Sequence, residues 1–231
     1  SCLKILSDGS LGARTAFLKN PYADDPSTRG IKIYTQEELD YFVLEAQKRN
    51  TPVAIHAIGS GAMEMCLNAI ENAKNTYPEY SPRHAIVHCQ ITSKEQVERL
   101  CRLGIMPLTQ PVFIDYDMHI VRDRVGDALA STSYAWKTMN ELGILTVGGS
   151  DAPVESFDVM DNLYFAVTRQ KLNGWPEGGW LPHEKVSIYE AVEMFTTHGA
   201  KSMFMEDSLG KLKEGYLADL VIVAEDIFEL P

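Results

Sequence analysis

The sequence predicts an α/β protein built on a parallel sheet. Two observations support this. Short apolar, strand-like runs recur along the 231 residues, and capped, helix-period segments separate most of them. Leu3 to Ser7 is the first strand-like run, closed by Asp8-Gly9. A Gly/Pro/Asp-rich stretch follows from Gly9 to Gly30, long enough for a functional loop. Thr35 and Glu38 form a capping box, and Leu39, Phe42, Val43 and Ala46 make the apolar stripe of the helix it starts. Pro52 to Ala57 is a buried strand, and Ala62, Cys66, Ala69, Ile70 and Ala73 mark a second helix. His84 to His88 is the third strand. Ser93 with Gln96 then caps a helix whose Val97, Leu100 and Cys101 are expected to face inward. Ile105 to Thr109 is a strand closed by Pro111, Phe113 to Leu142 is mostly helical or irregular, and Ile144 to Gly148 is a fifth strand. Asp158 to Gln170 and a segment capped by Ser187 and Glu190 are helices, and Leu217 to Val223 is a last strand. Five βα-type strands fall short of the eight of a closed barrel, and a doubly wound sheet fits the same count.

Composition narrows the function classes. About 45% of the residues are hydrophobic and 23% charged, as in ordinary globular proteins. No run of about 18 apolar residues reads as a membrane span. The net charge of −11, without a basic cluster to offset it, disfavours nucleic-acid partners. The four cysteines show no CxxC spacing, and Cys66 and Cys101 read as small core residues, which fits a cytoplasmic protein. No GxSxG, P-loop or GxGxxG fingerprint is present.

Polar residues within or at the ends of buried strands carry the chemical signal, because α/β active sites form at the C-terminal strand ends. Lys4 lies in the first strand, His56 and His88 close the second and third, and Asp151 follows the fifth. Two imidazoles and a carboxylate are the donor types of a hydrolytic divalent-metal site, and Asp151 is suited to act as both ligand and base. One histidine at a strand end is more often structural. Two histidines and an aspartate, each ending its own strand, favour a ligand set. Lys4 on these grounds alone reads as a snorkelling rim residue, and His84, at the opposite strand end, as structural. Gly59-Ser60-Gly61 before a helix is a weak anion-site signal. Asp8, Gln110, Phe113 and Arg124 are candidate substrate contacts, with Asp115 and Arg169 as weaker ones.

At these positions the chain resembles the amidohydrolase superfamily, specifically amidohydrolase family 3, the YtcJ-like and AepA-like group. The matching segments are Lys4 to Gly12, His56-Ala57-Ile58-Gly59, Arg83-His84, His88-Cys89-Gln90, Gln110-Pro111, Gly149 to Val154 and Ala218 to Val221. The resemblance implies a partial (β/α)8 TIM barrel, strands four to eight, over residues 1–208, with the start of a small β-sandwich at 209–231. It implies a metal-dependent hydrolase that cleaves an amide or related C–N bond with a metal-activated water. His56, His88, Asp151 and Lys4 would be metal ligands and Asp151 the catalytic residue. The cofactor would be zinc, one or two ions in a full-length parent. Lys4 would correspond to a lysine carboxylated in many relatives.

Three departures accompany the resemblance. Ser60 stands where the family commonly has Asp, Val87 where it commonly has Glu, and no His-x-His pair of the strand-one type occurs. The chain is therefore expected to be an inactive C-terminal fragment, held as a homo-oligomer that covers its open sheet edges, acting in its parent on a small-molecule amide. A regulatory or binding protein that keeps the fold is the alternative.

Overall fold

In the computed structural model, which describes residues 2–229, five parallel strands form one sheet in sequential order. They are β1 (Leu3–Leu6), β2 (Val53–Ala57), β3 (Ala85–His88), β4 (Met106–Thr109) and β5 (Val147–Gly148). The crossovers between the first three pairs of strands are helical: α1 (Gln36–Lys48), α2 (Ser60–Thr76) and α3 (Lys94–Leu103). Between β4 and β5 lie α4 (Ile114–Asp117), α5 (Val121–Ala130) and α6 (Trp136–Glu141), and α7 (Val159–Thr168), α8 (Ile188–Phe195) and α9 (Thr197–Ser202) follow the sheet. Local chemistry starts the helices where expected. Thr35/Glu38, Ser93/Gln96 and Ser187/Glu190 all close reciprocal capping boxes. The C-terminus of α3 ends on Gly104 in the left-handed region (φ 63°).

The sheet has two unlike faces. Ile5, Val53, Ile55, Ala57 and Ile86 pack with Leu39 and Val43 of α1, Met63 and Ile70 of α2, Leu100 of α3 and Met139 of α6 in one apolar core. The register pairs Lys4 with Ala54 and Leu6 with His56, so these four share the opposite face. On that face Lys4 is exposed and Leu6 is 52% exposed, which is unusual because parallel sheets are ordinarily covered on both sides. A second apolar core lies around Leu11, Tyr22, Ile58, Val112, Tyr134, Trp136 and Leu163, joining the long β1–α1 loop to α5, α6 and α7.

Three sequence expectations need correction. β5 is only two residues long rather than running from Ile144. Gly148 lies so close to Phe195 that an added Cβ would sit 2.4 Å from the ring. Cys101 is exposed, its thiol donating to the Leu142 carbonyl, whereas Cys66 is fully buried. Leu217 to Val223 is not a strand, and Val221 and Ile222 are 86% and 89% exposed. A helix satisfies its backbone internally, but a strand requires a neighbour, and none pairs with this segment among the described residues.

His84 is structural, as expected. Val53 N–H donates to its Nδ1 (3.1 Å), and its Nε2 faces Gln47 Oε1 (2.7 Å). The Gln47 amide nitrogen donates to the Tyr77 and Tyr80 carbonyls, which fixes its oxygen as the acceptor. Burial, and secondarily Lys74, pull the imidazole pKa down to about 4. The unfolded chain, with an ordinary pKa of about 6.5, therefore takes up this proton first on acidification. The His84 contribution is complete above pH ~6.5 and lost as pH falls towards ~4, about 3 kcal/mol in all. Urea unfolding across this window should show a shallower pH dependence in His84→Gln than in the wild type. Identical slopes would refute the assignment.

Candidate functional site

The two candidate histidines meet at the C-terminal ends of β2 and β3. His56 is the penultimate residue of β2, on the exposed face. Its Nε2 lies 3.0 Å from the Gly9 carbonyl oxygen and 3.3 Å from Asp8 Oδ1. Both neighbours can only accept, so Nε2 carries a proton, and Nδ1 is the nitrogen these contacts leave unengaged.

His88 reaches the same place by a different route. Its register partner is Ala57, and regular alternation would turn it, with Ile86, towards the helices. Instead His88 and Cys89 take left-handed backbone conformations, φ 75° and 50°. The His88 ring packs edge-on to His56 with centroids 4.4 Å apart. Phe113 stacks against its other side at 5.8 Å, and Gln110 Oε1 is 2.8 Å from its Nδ1. Burial, then the neighbouring His56, lower the His88 pKa to about 4, so the ring is neutral at physiological pH.

Asp151 and Lys4 stand further out. Asp151 is exposed on a left-handed backbone (φ 56°), where its charge acts on both His88 and Lys4. Partial burial lowers the Lys4 pKa, opposed by Asp151. Of the four expected ligands, the structure brings the two imidazoles into contact and leaves the carboxylate and the ammonium at the rim. Among the described residues, no three His, Cys, Asp or Glu side chains converge as a metal-holding group. The paired imidazoles, each with one nitrogen engaged by the protein, fit a metal as two of its ligands. They do not make a complete site.

Two expected substrate contacts are engaged by the protein's own groups. Asp8 is buried, and its carboxylate accepts from Phe17 N–H (2.9 Å), Ile58 N–H (3.1 Å) and Gly59 N–H (2.8 Å). It also answers the weak anion-site signal at Gly59 to Gly61. The chain's own carboxylate occupies part of this turn, and the Phe17 carbonyl accepts from Gly61 and Ala62. Gly59 is required here, because a Cβ would lie 2.1 Å from the Phe17 oxygen. Arg124 is also engaged: it pairs with Asp24 and donates to the Gly12 carbonyl, tying α5 to the β1–α1 loop. The weaker candidates differ again. Asp115 pairs with Lys171 at 3.5 Å, and Arg169 is fully buried. Gln110 and Phe113 do flank the imidazole pair. What sequence reasoning missed is that Gln110 addresses His88. The only available signal was a polar residue ending a strand next to the one that carries the histidine.

The family model described as "Amidohydrolase family" matches residues 1–231. The chain belongs to the amidohydrolase family. It is 39% identical over 229 residues to YtcJ of Bacillus subtilis (strain 168), provisionally named an amidohydrolase, covering 99% of this chain and 42% of that protein. N-substituted formamide deformylase of Arthrobacter pascens is 23% identical over 85% of this chain and 36% of its own length. The fold superimposes on an uncharacterized metal-dependent hydrolase from Pyrococcus furiosus with a TM-score of 0.84 and 32% identity, covering 98% of this chain and 44% of that one. This amidohydrolase chain thus spans about two fifths of the length of the curated relatives it matches.

Proposed function

We propose that this chain carries part of the active centre of a metal-dependent hydrolase that cleaves an amide or related non-peptide C–N bond in a small molecule. The observation that carries the reading is the His56–His88 pair, two imidazoles in edge contact at neighbouring strand ends. In this reading the five strands are strands four to eight of a (β/α)8 barrel, and residues 209–231 begin a β-sandwich. His56 and His88 hold the ion, zinc by preference, joined by Asp151 and Lys4 once the remaining strands close the site. A bound divalent cation supplies Lewis acidity and lowers the pKa of water. Asp151, exposed beside the pair, takes the proton from the attacking water, and Phe113 forms an apolar wall against which the substrate lies. The deformylase name of one relative makes N-substituted formamides the first substrates to try. The open β1 and β5 edges are covered in a homo-oligomer.

A second reading, a regulatory or binding protein that keeps the fold, is favoured by the absence of a three-ligand group among the described residues. One set of measurements separates the two. Zn²⁺ titration of the full chain should show weak binding, reduced tenfold or more in both His56→Ala and His88→Ala. An N-substituted formamide should not be turned over, and sedimentation should give more than one copy per particle. Zinc binding indifferent to both substitutions would refute the metal centre. Turnover by the chain alone would refute its incompleteness.

A further inference from the structure

Gln110 sits at the end of β4, 22 residues beyond His88, and its amide makes two contacts. Its Nε2 donates to the Leu108 carbonyl at 3.0 Å, and its Oε1 lies 2.8 Å from His88 Nδ1. The two ends of a glutamine amide are interchangeable in shape but not in chemistry. The Leu108 oxygen can only accept, so the end facing it must be the NH2. The end facing His88 is then the oxygen, which can only accept as well. His88 must therefore donate from Nδ1.

We infer that Gln110 is a positioning residue: held by the Leu108 carbonyl, its amide oxygen locks His88 in the Nδ1–H form and leaves the Nε2 lone pair free for a ligand. Leu108 and Gln110 belong to one strand end, so the lock is stiff, and Phe113, three residues on, stacks on the same imidazole and resists rotation of the ring. Only the consequence for metal affinity rests on the proposed metal centre; the tautomer assignment follows from hydrogen bonding alone.

The experiment uses the whole chain, metal-free, with ¹⁵N-labelled histidine. Long-range ¹H–¹⁵N correlation spectra distinguish the two neutral tautomers, with His88→Gln identifying the His88 signals. The expected result is a single Nδ1–H pattern for His88 in the wild type. That pattern should persist in Gln110→Glu, which keeps an acceptor oxygen, and be lost in Gln110→Leu, which has none. An Nε2–H pattern in the wild type would overturn the inference without any variant having to fold, and so would an unchanged Nδ1–H pattern in Gln110→Leu. Zn²⁺ titration provides the second readout. Gln110→Leu should bind about 10- to 100-fold more weakly, with Gln110→Glu restoring most of the loss. Equal affinity in Gln110→Leu and wild type would overturn the positioning role. If the wild type shows the Nδ1–H pattern but neither it nor any variant binds zinc, the lock is confirmed and the metal centre is what fails.

Discussion

Replacing Asp8 with alanine should cost about 3–6 kcal/mol of stability, at about 1–3 kcal/mol for each buried donor left without a partner and with partial relaxation. Three backbone donors converge on this carboxylate: Phe17 from the long loop, and Ile58 and Gly59 from the turn into α2. The Ile58 and Gly59 donors are buried, and that of Phe17 is partly so. A loss of this size is a large part of a typical domain's total stability of about 5–15 kcal/mol. Asp8→Asn should recover only part of it, because one of the two accepting oxygens becomes an NH2 aimed at N–H groups. The measurement is the urea midpoint of each variant, with limited proteolysis reporting whether the 9–30 loop comes loose. A loss below about 1 kcal/mol in Asp8→Ala would mean that the carboxylate is dispensable and that the loop is held mainly by its apolar contacts. Asp8 also contacts His56, so the alanine variant should weaken zinc binding as well as stability.

Arg169→Ala should be comparably damaging, about 3–5 kcal/mol, the usual range for emptying a large core position. The guanidinium lies between two indoles, 4.5 Å from the Trp136 centroid and 5.0 Å from that of Trp180, and donates to the carbonyls of Trp180 and Tyr134. Burial draws its pKa down to about 9, still above neutrality, so the cation persists at physiological pH. Truncation leaves a cavity between the rings and takes the donor from the Trp180 carbonyl, while the Tyr134 carbonyl keeps only Trp136 N–H. Arg169→Lys should also be poorly tolerated, since a point-like ammonium cannot stack on one indole while reaching both carbonyls. Thermal unfolding with tryptophan fluorescence reads both effects, because the quenching environment of Trp136 and Trp180 changes with the fold. A lysine variant as stable as the wild type would show that charge alone, without stacking, holds the site.

The sequence resolved well wherever the deciding interaction is local. The capping boxes at Thr35, Ser93 and Ser187 formed because each closes within four residues. The first four strands were legible because continuous apolar runs are what a buried parallel sheet requires. The histidines could be picked out because a titratable side chain ending such a run is conspicuous. The errors have the opposite character. Leu217 to Val223 has a strand's composition but no neighbour to pair with. Cys101 has a core residue's spacing but lies where the helix turns outward. The partners of Asp8 and Arg124 were not legible either, because Ile58 and Gly59 in one case and Asp24 in the other meet them from distant parts of the chain.

The amino-acid order by itself determined the alternation of strands and helices, where most helices begin, and which two imidazoles stand at neighbouring strand ends. These follow from hydrophobic period and short-range capping, whose range is a turn or two of chain. Tertiary structure alone decided that His88 leaves the strand alternation to meet His56, that Gln110 rather than solvent accepts the hydrogen bond from its Nδ1, and that backbone N–H groups surround the Asp8 carboxylate. Each of these depends on groups far apart in sequence, 22 residues for Gln110 and His88 and 51 for Asp8 and Gly59. A pattern of side chains along a strand specifies which face is apolar. It does not specify which polar atoms will meet across it, because that geometry exists only once the sheet has closed its register.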